Sequence, residues 1–237
     1  MKNNILNKVL LRIINKITPD NKQLTMRGAL SRCVSRNTHV KTVIDIGASD
    51  GRWSQRCMEF YPNAHYLLVE ANKFHEEKLK DKENTLHNLE YVLAAAGEED
   101  GVIYFDNSDP FGGLASETEI EGSIEVPVIS IDQEVSRRML KAPYLLKLDT
   151  HGFEIPILKG AQEVIKGASL IIIESYNFQV SESSLKYYEL CQYMTELGFS
   201  PVEIVDLMLR DYDGALWQMD TFFAPSSSSE FKYKKYS

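Results

Sequence analysis

Cysteine is scarce in this 237-residue chain. Cys33, Cys57 and Cys191 are odd in number and widely spaced, and no CxxC pair occurs. That excludes a disulfide scaffold and a zinc ribbon, and it points to a reducing compartment, the cytosol. Long hydrophobic runs are also missing. No stretch of 18 apolar residues occurs, so no membrane-spanning helix is expected. The amino terminus lacks a continuous apolar segment ending in a small-residue cleavage site, so no signal peptide is expected either. The GxGxxG fingerprint of dinucleotide-binding folds is absent. What remains is ordinary for a globular chain: 43% hydrophobic and 25% charged residues, long enough to bury a core without metal or disulfides.

The net charge of −8 is unevenly spread. Residues 1–36 hold eight basic residues and one acid, Asp20, for a local net of +7; the rest of the chain carries −15. A body so acidic argues against nucleic acid as a partner. Ile5, Leu6, Val9, Leu10, Ile13, Ile14 and Ile17 fall at helical spacing with Lys8, Arg12 and Lys16 between them. This predicts an amphipathic helix over 3–17 with a basic face. Its apolar face packs on the domain, or on an anionic membrane or protein partner at the inner face of the membrane. The expected organisation is a basic helical extension over 1–36, one domain over 37–225 and a flexible tail over 226–237, rich in serine at its start. Oligomeric state is not legible.

From residue 40 onward, strand and helix patterns alternate. Strands are expected at 40–47, 65–71, 89–96, 102–105, 124–130, 144–149, 170–174, 202–207 and 221–224, with a further one over 212–218. Helices are expected at 22–35, 52–60, 73–82, 155–166 and 184–197. Such alternation implies right-handed βαβ units, hence an α/β fold with a mostly parallel sheet covered by helices on both faces. The two strands closing the chain, with no helix between them, predict an antiparallel edge.

The sharpest local signal is Val43-Ile44-Asp45-Ile46-Gly47-Ala48-Ser49-Asp50-Gly51, a buried strand running through a glycine turn into a helix. Gly47 and Gly51 admit close backbone approach, and free N–H groups at the helix start suit an anion. Asp45 suits an ammonium and repels a pyrophosphate. About 19 residues on, the second strand ends in Glu70-Ala71, an acid placed to accept from a ribose diol. Ala94 and Ala95, closing the third strand, leave a slot for a base. A ligand with an ammonium, a carboxylate and a nucleoside satisfies all of these, and S-adenosylmethionine is such a molecule. Asp45, Gly47, Ala48, Ser49, Gly51, Glu70, Ala71, Ala94 and Ala95 are the expected cofactor contacts, with Asp149 beside them.

Four segments together resemble the FkbM-type methyltransferase family: VIDIGASDG at 43–51, VEA at 69–71, VPVISID at 126–132, and LLKLDTHGFEIPILKGA at 145–161 with IIIE at 171–174. The last is the most specific, through Lys147, Asp149, Gly152, Glu154, Leu158, Lys159, Gly160 and Ala161. The resemblance implies a Rossmann-like class I methyltransferase fold of seven strands with an antiparallel last strand. It also implies S-adenosylmethionine as cofactor and methyl transfer to oxygen, usually on a saccharide or other small hydroxyl acceptor. The family's usual Asp-Val-Glu-Gly reads Asp149-Thr150-His151-Gly152 here, so a histidine stands where an acid is familiar.

An alcohol is a poor nucleophile at neutral pH and needs a base or a metal. His151 is the expected general base and Asp149 its orienter or a hydroxyl ligand. If the strand stays extended through His151, the two side chains share one side. Glu154 acts either on the acceptor or as a cap for free N–H groups. Phe111, in the glycine-rich segment 106–123, and Tyr176 and Asn177, after the fifth strand, are expected at the acceptor. No metal site is expected, although a divalent ion on Asp149, His151 and Glu174 is an alternative. Lys147 is expected in a structural ion pair, and Trp53 beneath the first helix. His65, His75 and His87 are expected in solvent. Two other functions fit less well: an NAD-dependent enzyme on the same sheet, and a non-catalytic adaptor held by the basic helix.

Overall fold

The computed structural model describes residues 22–116, 118–119, 121–181 and 184–236. The amphipathic helix expected over 3–17 lies outside the described residues. The first helix seen, α1 (Met26–Ser35), starts where Thr25 caps the Gly28 N–H. Seven strands form the main sheet: β1 (Thr42–Ile46), β2 (His65–Glu70), β3 (Leu89–Leu93), β8 (Tyr144–Leu148), β9 (Ala168–Tyr176), β10 (Phe199–Leu209) and β11 (Leu216–Pro225). Their order is β10-β11-β9-β8-β1-β2-β3. Pairing is parallel from β9 through β8, β1 and β2 to β3. β11 runs antiparallel to both its neighbours, β9 and β10. The expected antiparallel closing strand is thus present.

Period-2 alternation sorts the sheet's two faces. Ile44, Ile46, Leu146, Leu148, Ile171, Ile173 and Phe223 point to one side. They pack on the short helices α5 (Glu154–Lys159) and α6 (Gln162–Lys166) and on α7 (Tyr187–Glu196). Val43, Leu145, Ile172 and Phe222 point to the other. There they meet α1, α2 (Arg52–Cys57) and α3 (Glu76–Thr85) through Leu30, Cys57 and Leu79. Each such side chain, fully withdrawn from water, contributes about 1.5–3 kcal/mol. The helix α1, placed by the sequence in an extension, therefore belongs to the core. Residues of the tail also touch the body: the Ser226 N–H donates to Gly198 O, and Arg36 Nε lies 3.5 Å from Glu230.

Four expected elements are divided differently. The third strand stops at Leu93, where Ala94 N–H makes the last bond to β2 by donating to Glu70 O. The chain then enters a second sheet, β4 (Ala95–Gly97), β7 (Ile124–Ser130), β5 (Gly101–Asp106) and β6 (Leu114–Ser116), in the order β4-β7-β5-β6. The helix expected over 155–166 breaks between α5 and α6 at Gly160. There a Cβ would lie 2.0 Å from Gly97 O, and Gly160 O accepts from Ser130 Oγ and Asp132 N–H. The strands expected at 212–218 and 221–224 are one strand, β11. The helix α4 (Ile131–Arg137) carries no expectation from the sequence.

Candidate active site

A cavity of about 350 Å³ opens at the carboxyl ends of β1, β2, β3 and β8. In open parallel sheets, ligands bind at that end. Gly47 begins the cradle at φ +76°, and a Cβ on it would lie 2.0 Å from Asp149 O. The glycine therefore lets the β1 turn sit against the end of β8. Gly47 N–H and Ala48 N–H both donate to Val69 O, which fixes the turn to β2.

Glu70 is the second anchor. It is 7% exposed, and its two oxygens accept the N–H groups of Ser49 and Asn72, each at 2.6 Å. Burial raises its pKa, and those two N–H donors oppose the rise. The carboxylate is held rigidly at the end of β2 with lone pairs to spare, as a ribose diol requires. Ala71, Ala94, Ala95 and Ala96 line the adjoining wall and leave room for a flat base. Size, small-residue wall and fixed carboxylate fit a nucleoside.

Not every expected cofactor contact lies on this cavity. Asp45 is fully buried on the opposite face of β1, where its Oδ2 accepts from Ser54 at 2.7 Å. Strand alternation sends it there, since Ile44 and Ile46 face the other way. Gly51 is the left-handed residue before α2, and a Cβ on it would press on Leu68 and Lys82. It shapes the turn and does not line the cavity.

Beside Gly47 lies a buried charge cluster. Lys147 is the register partner of Asp45, and it is 3% exposed. Its Nζ donates to Asp149 Oδ2 at 2.6 Å. Burial disfavours the ammonium, but Asp149, Asp45 and Asp220 outweigh it and raise the Lys147 pKa. Burial pushes Asp45 to about 6 against the pull of Lys147 and Ser54, and likewise pushes Asp220 to about 6. For Asp149, burial is overcome by Lys147, and its pKa falls below the usual carboxylate value. The structural ion pair expected for Lys147 is present, and Asp149 is one half of it.

His151 does not continue the strand. β8 ends at Leu148, and His151 sits at φ +52° in a turn with Gly152 at φ +101°. The turn, not an extended strand, brings Asp149 and His151 to the same cavity. His151 Nε2 lies 3.9 Å from Asp149 Oδ1 and 3.6 Å from Glu174 Oε2. Glu174 is held by Tyr176 Oη–H and by Gln218 Nε2–H. Burial first, and the Asp149 charge second, push it to about 8. Donor atoms of Asp149, His151 and Glu174 all fall within 4.8 Å of one another, a spacing that admits a divalent ion. The Lys147 ammonium already supplies a positive charge to Asp149.

The remaining expected residues separate. Glu154 is buried and braces the turn, accepting from Gly152 N–H at 2.9 Å and Thr150 at 3.2 Å. Tyr176 orients Glu174 and stays off the cavity. Asn177 is exposed, its N–H donating to Trp217 O. Phe111 does line the cavity, on the nucleoside side.

His75, expected in solvent, is 1% exposed. Its Nε2 lies 2.7 Å from Pro110 O, and its ring sits 5.3 Å from that of Phe111. Arg52 stacks over the other partner, 5.5 Å from the Phe111 centroid. These contacts hold the segment 106–113 against the cavity. Trp53 lines it too, with Lys147 Nζ 5.5 Å from its ring. A lone histidine in a charged segment gives no sequence signal for either burial or partner.

A seven-stranded sheet ordered in this way, with a glycine turn and a fixed acid at successive strand ends, is the Rossmann-like fold of class I methyltransferases. The comparisons with known proteins narrow this. Residues 45–201 match the methyltransferase FkbM domain, about two thirds of the chain, and the chain belongs to that family. It is 25% identical over 134 residues to the hexuronic acid methyltransferase AglP of Haloferax volcanii, covering 55% of this chain and 54% of that protein. The crystal structure of a methyltransferase FkbM from Methylobacillus flagellatus KT superposes with a TM-score of 0.50 at 16% identity, over 77% of this chain and 43% of that one. The chain thus spans about half the length of the relatives it matches. Among the described residues, no helix is long and apolar enough to cross a membrane.

Proposed function

We propose that this chain transfers a methyl group from S-adenosylmethionine to a hydroxyl oxygen of a saccharide. The observation that carries the reading is the pairing of Glu70 at one end of the cavity with Asp149 and His151 at the other. When bound, the cofactor supplies an electrophilic methyl on a sulfonium. Glu70 receives the ribose diol, the Ala94–Ala96 wall receives the adenine, and the turn 47–49 runs along the chain between them.

His151 does the proton work. His151 Nε2 lies 3.6 and 3.9 Å from Glu174 and Asp149, beyond direct hydrogen-bond reach, so a hydroxyl placed against one side of the three groups can bond to it. Nε2 takes the hydroxyl proton, and the ionised Asp149 stabilises the imidazolium that results. Lys147 keeps Asp149 ionised in that role. A closed, positioned acceptor gains further rate through orientation alone.

The saccharide rests on the family and on the relative named for hexuronic acid. The acidic body supports a small or glycan acceptor over nucleic acid. A cytosolic setting, with residues 3–17 touching an anionic membrane or a protein, belongs to the same proposal. The test is methyl-labelled S-adenosylmethionine offered with a panel of glucuronides and neutral oligosaccharides. Label in an alkali-stable methyl ether, lost in His151→Ala, supports the reading. Label only in an alkali-labile ester of the glucuronide carboxylate, or a methyl ether formed equally by His151→Ala, would overturn it.

A further inference from the structure

Three cations line the cofactor cavity: Arg52, Arg56 and Lys147. Two are already engaged. Arg52 forms a fork with Asp50, at 2.8 and 2.7 Å, and Lys147 holds Asp149. Arg56 has no carboxylate partner among the described residues, and its side chain is exposed. It stands one helical turn beyond Arg52 on α2. It is also where the first cavity meets a second one of about 420 Å³, sharing Trp53, Lys147 and Asp149 as the common wall. This junction is the end of the cavity away from Glu70.

We propose that Arg56 binds the carboxylate of the cofactor's amino-acid part. The inference rests on the methyltransferase reading above. A nucleoside fixed at Glu70 sends its amino-acid chain along Gly47–Ser49 toward α2. The chain ends in a carboxylate and an ammonium. Arg56 offers a planar fork to the first. Asp45, which the sequence offers for the ammonium, is walled off behind Ser54 and cannot reach it.

The experiment compares two probes by isothermal titration: S-adenosylhomocysteine, and 5′-methylthioadenosine, which has the nucleoside and sulfur but no amino acid. Each is titrated into the full chain and into Arg56→Gln and Arg56→Lys. Because the guanidinium is exposed and solvent-screened, the expected loss of S-adenosylhomocysteine affinity in Arg56→Gln is about tenfold. Affinity for 5′-methylthioadenosine is expected unchanged, with Arg56→Lys recovering part of the loss. Equal weakening of both probes, or unchanged S-adenosylhomocysteine binding, overturns the assignment and leaves the methyltransferase reading standing. Failure of the unmodified chain to bind either probe overturns both.

Discussion

Replacing Lys147 by methionine keeps the volume of the side chain and removes its charge. The ammonium is 3% exposed and faces three acids, Asp45, Asp149 and Asp220. Breaking a buried ion pair from one side costs about 3–5 kcal/mol, because the partner stays buried and uncompensated. The pH dependence makes the expectation sharper. Lys147 has a raised pKa in the folded state, so its stabilisation is fully present below the unfolded value of about 10.4 and lost only above it. Across pH 5–8 Lys147 stays charged whether folded or unfolded, so its own proton binding adds no pH dependence there. Asp45 and Asp220, at about 6 when folded, start from about 3.9 when unfolded. Their raised values favour folding below about pH 4, and that advantage is lost as pH rises through 6. Without Lys147 both values climb further, and the loss extends to higher pH. Urea unfolding should thus show Lys147→Met destabilised by about 3–5 kcal/mol at pH 8 and by at least about 1 kcal/mol less at pH 5. A deficit equal at the two pH values, or one under about 1 kcal/mol at pH 8, would refute the claim that this ammonium neutralises the cluster.

Other consequences follow from single contacts. Gly47→Ala places a Cβ 2.0 Å from Asp149 O at φ +76°, whereas Gly214 at φ +75° has nothing within 4 Å. Gly214→Ala should cost about 1–2 kcal/mol of backbone strain, and Gly47→Ala at least about 2 kcal/mol more, together with loss of S-adenosylhomocysteine binding; equal unfolding midpoints would contradict this. His75→Ala frees the segment 106–113, so stopped-flow Trp53 fluorescence should show S-adenosylhomocysteine leaving about tenfold faster, matching a lost hydrogen bond to a carbonyl; an unchanged rate would show that the segment is held otherwise. Glu70→Gln should weaken that ligand roughly tenfold or more through the lost charge-assisted bonds to ribose, with the melting temperature as the check on folding.

Much of this was legible because strand chemistry is local. The run Val43–Ile46 into Gly47 announces a buried strand and a turn, and Glu70 follows at the spacing that puts it at the next strand's end. Fold and nucleoside wall come from such patterns. The same rule of alternation, applied to Asp45, would have put it on the face opposite Ile46. Reading the acid by its chemistry alone missed the side it faces. The turn at His151 was not legible, since a non-glycine residue at positive φ leaves no mark in the sequence. His75 and Arg56 are visible only once 106–113 folds back over α2 and the two cavities meet, contacts that span tens of residues.

The central claim is that the cavity holds S-adenosylmethionine. Titration calorimetry of the full chain with S-adenosylmethionine and, separately, with NAD tests it most directly. The account predicts one-to-one binding of S-adenosylmethionine, lost in Glu70→Ala, and no binding of NAD. Binding of NAD without S-adenosylmethionine by a folded protein would contradict it.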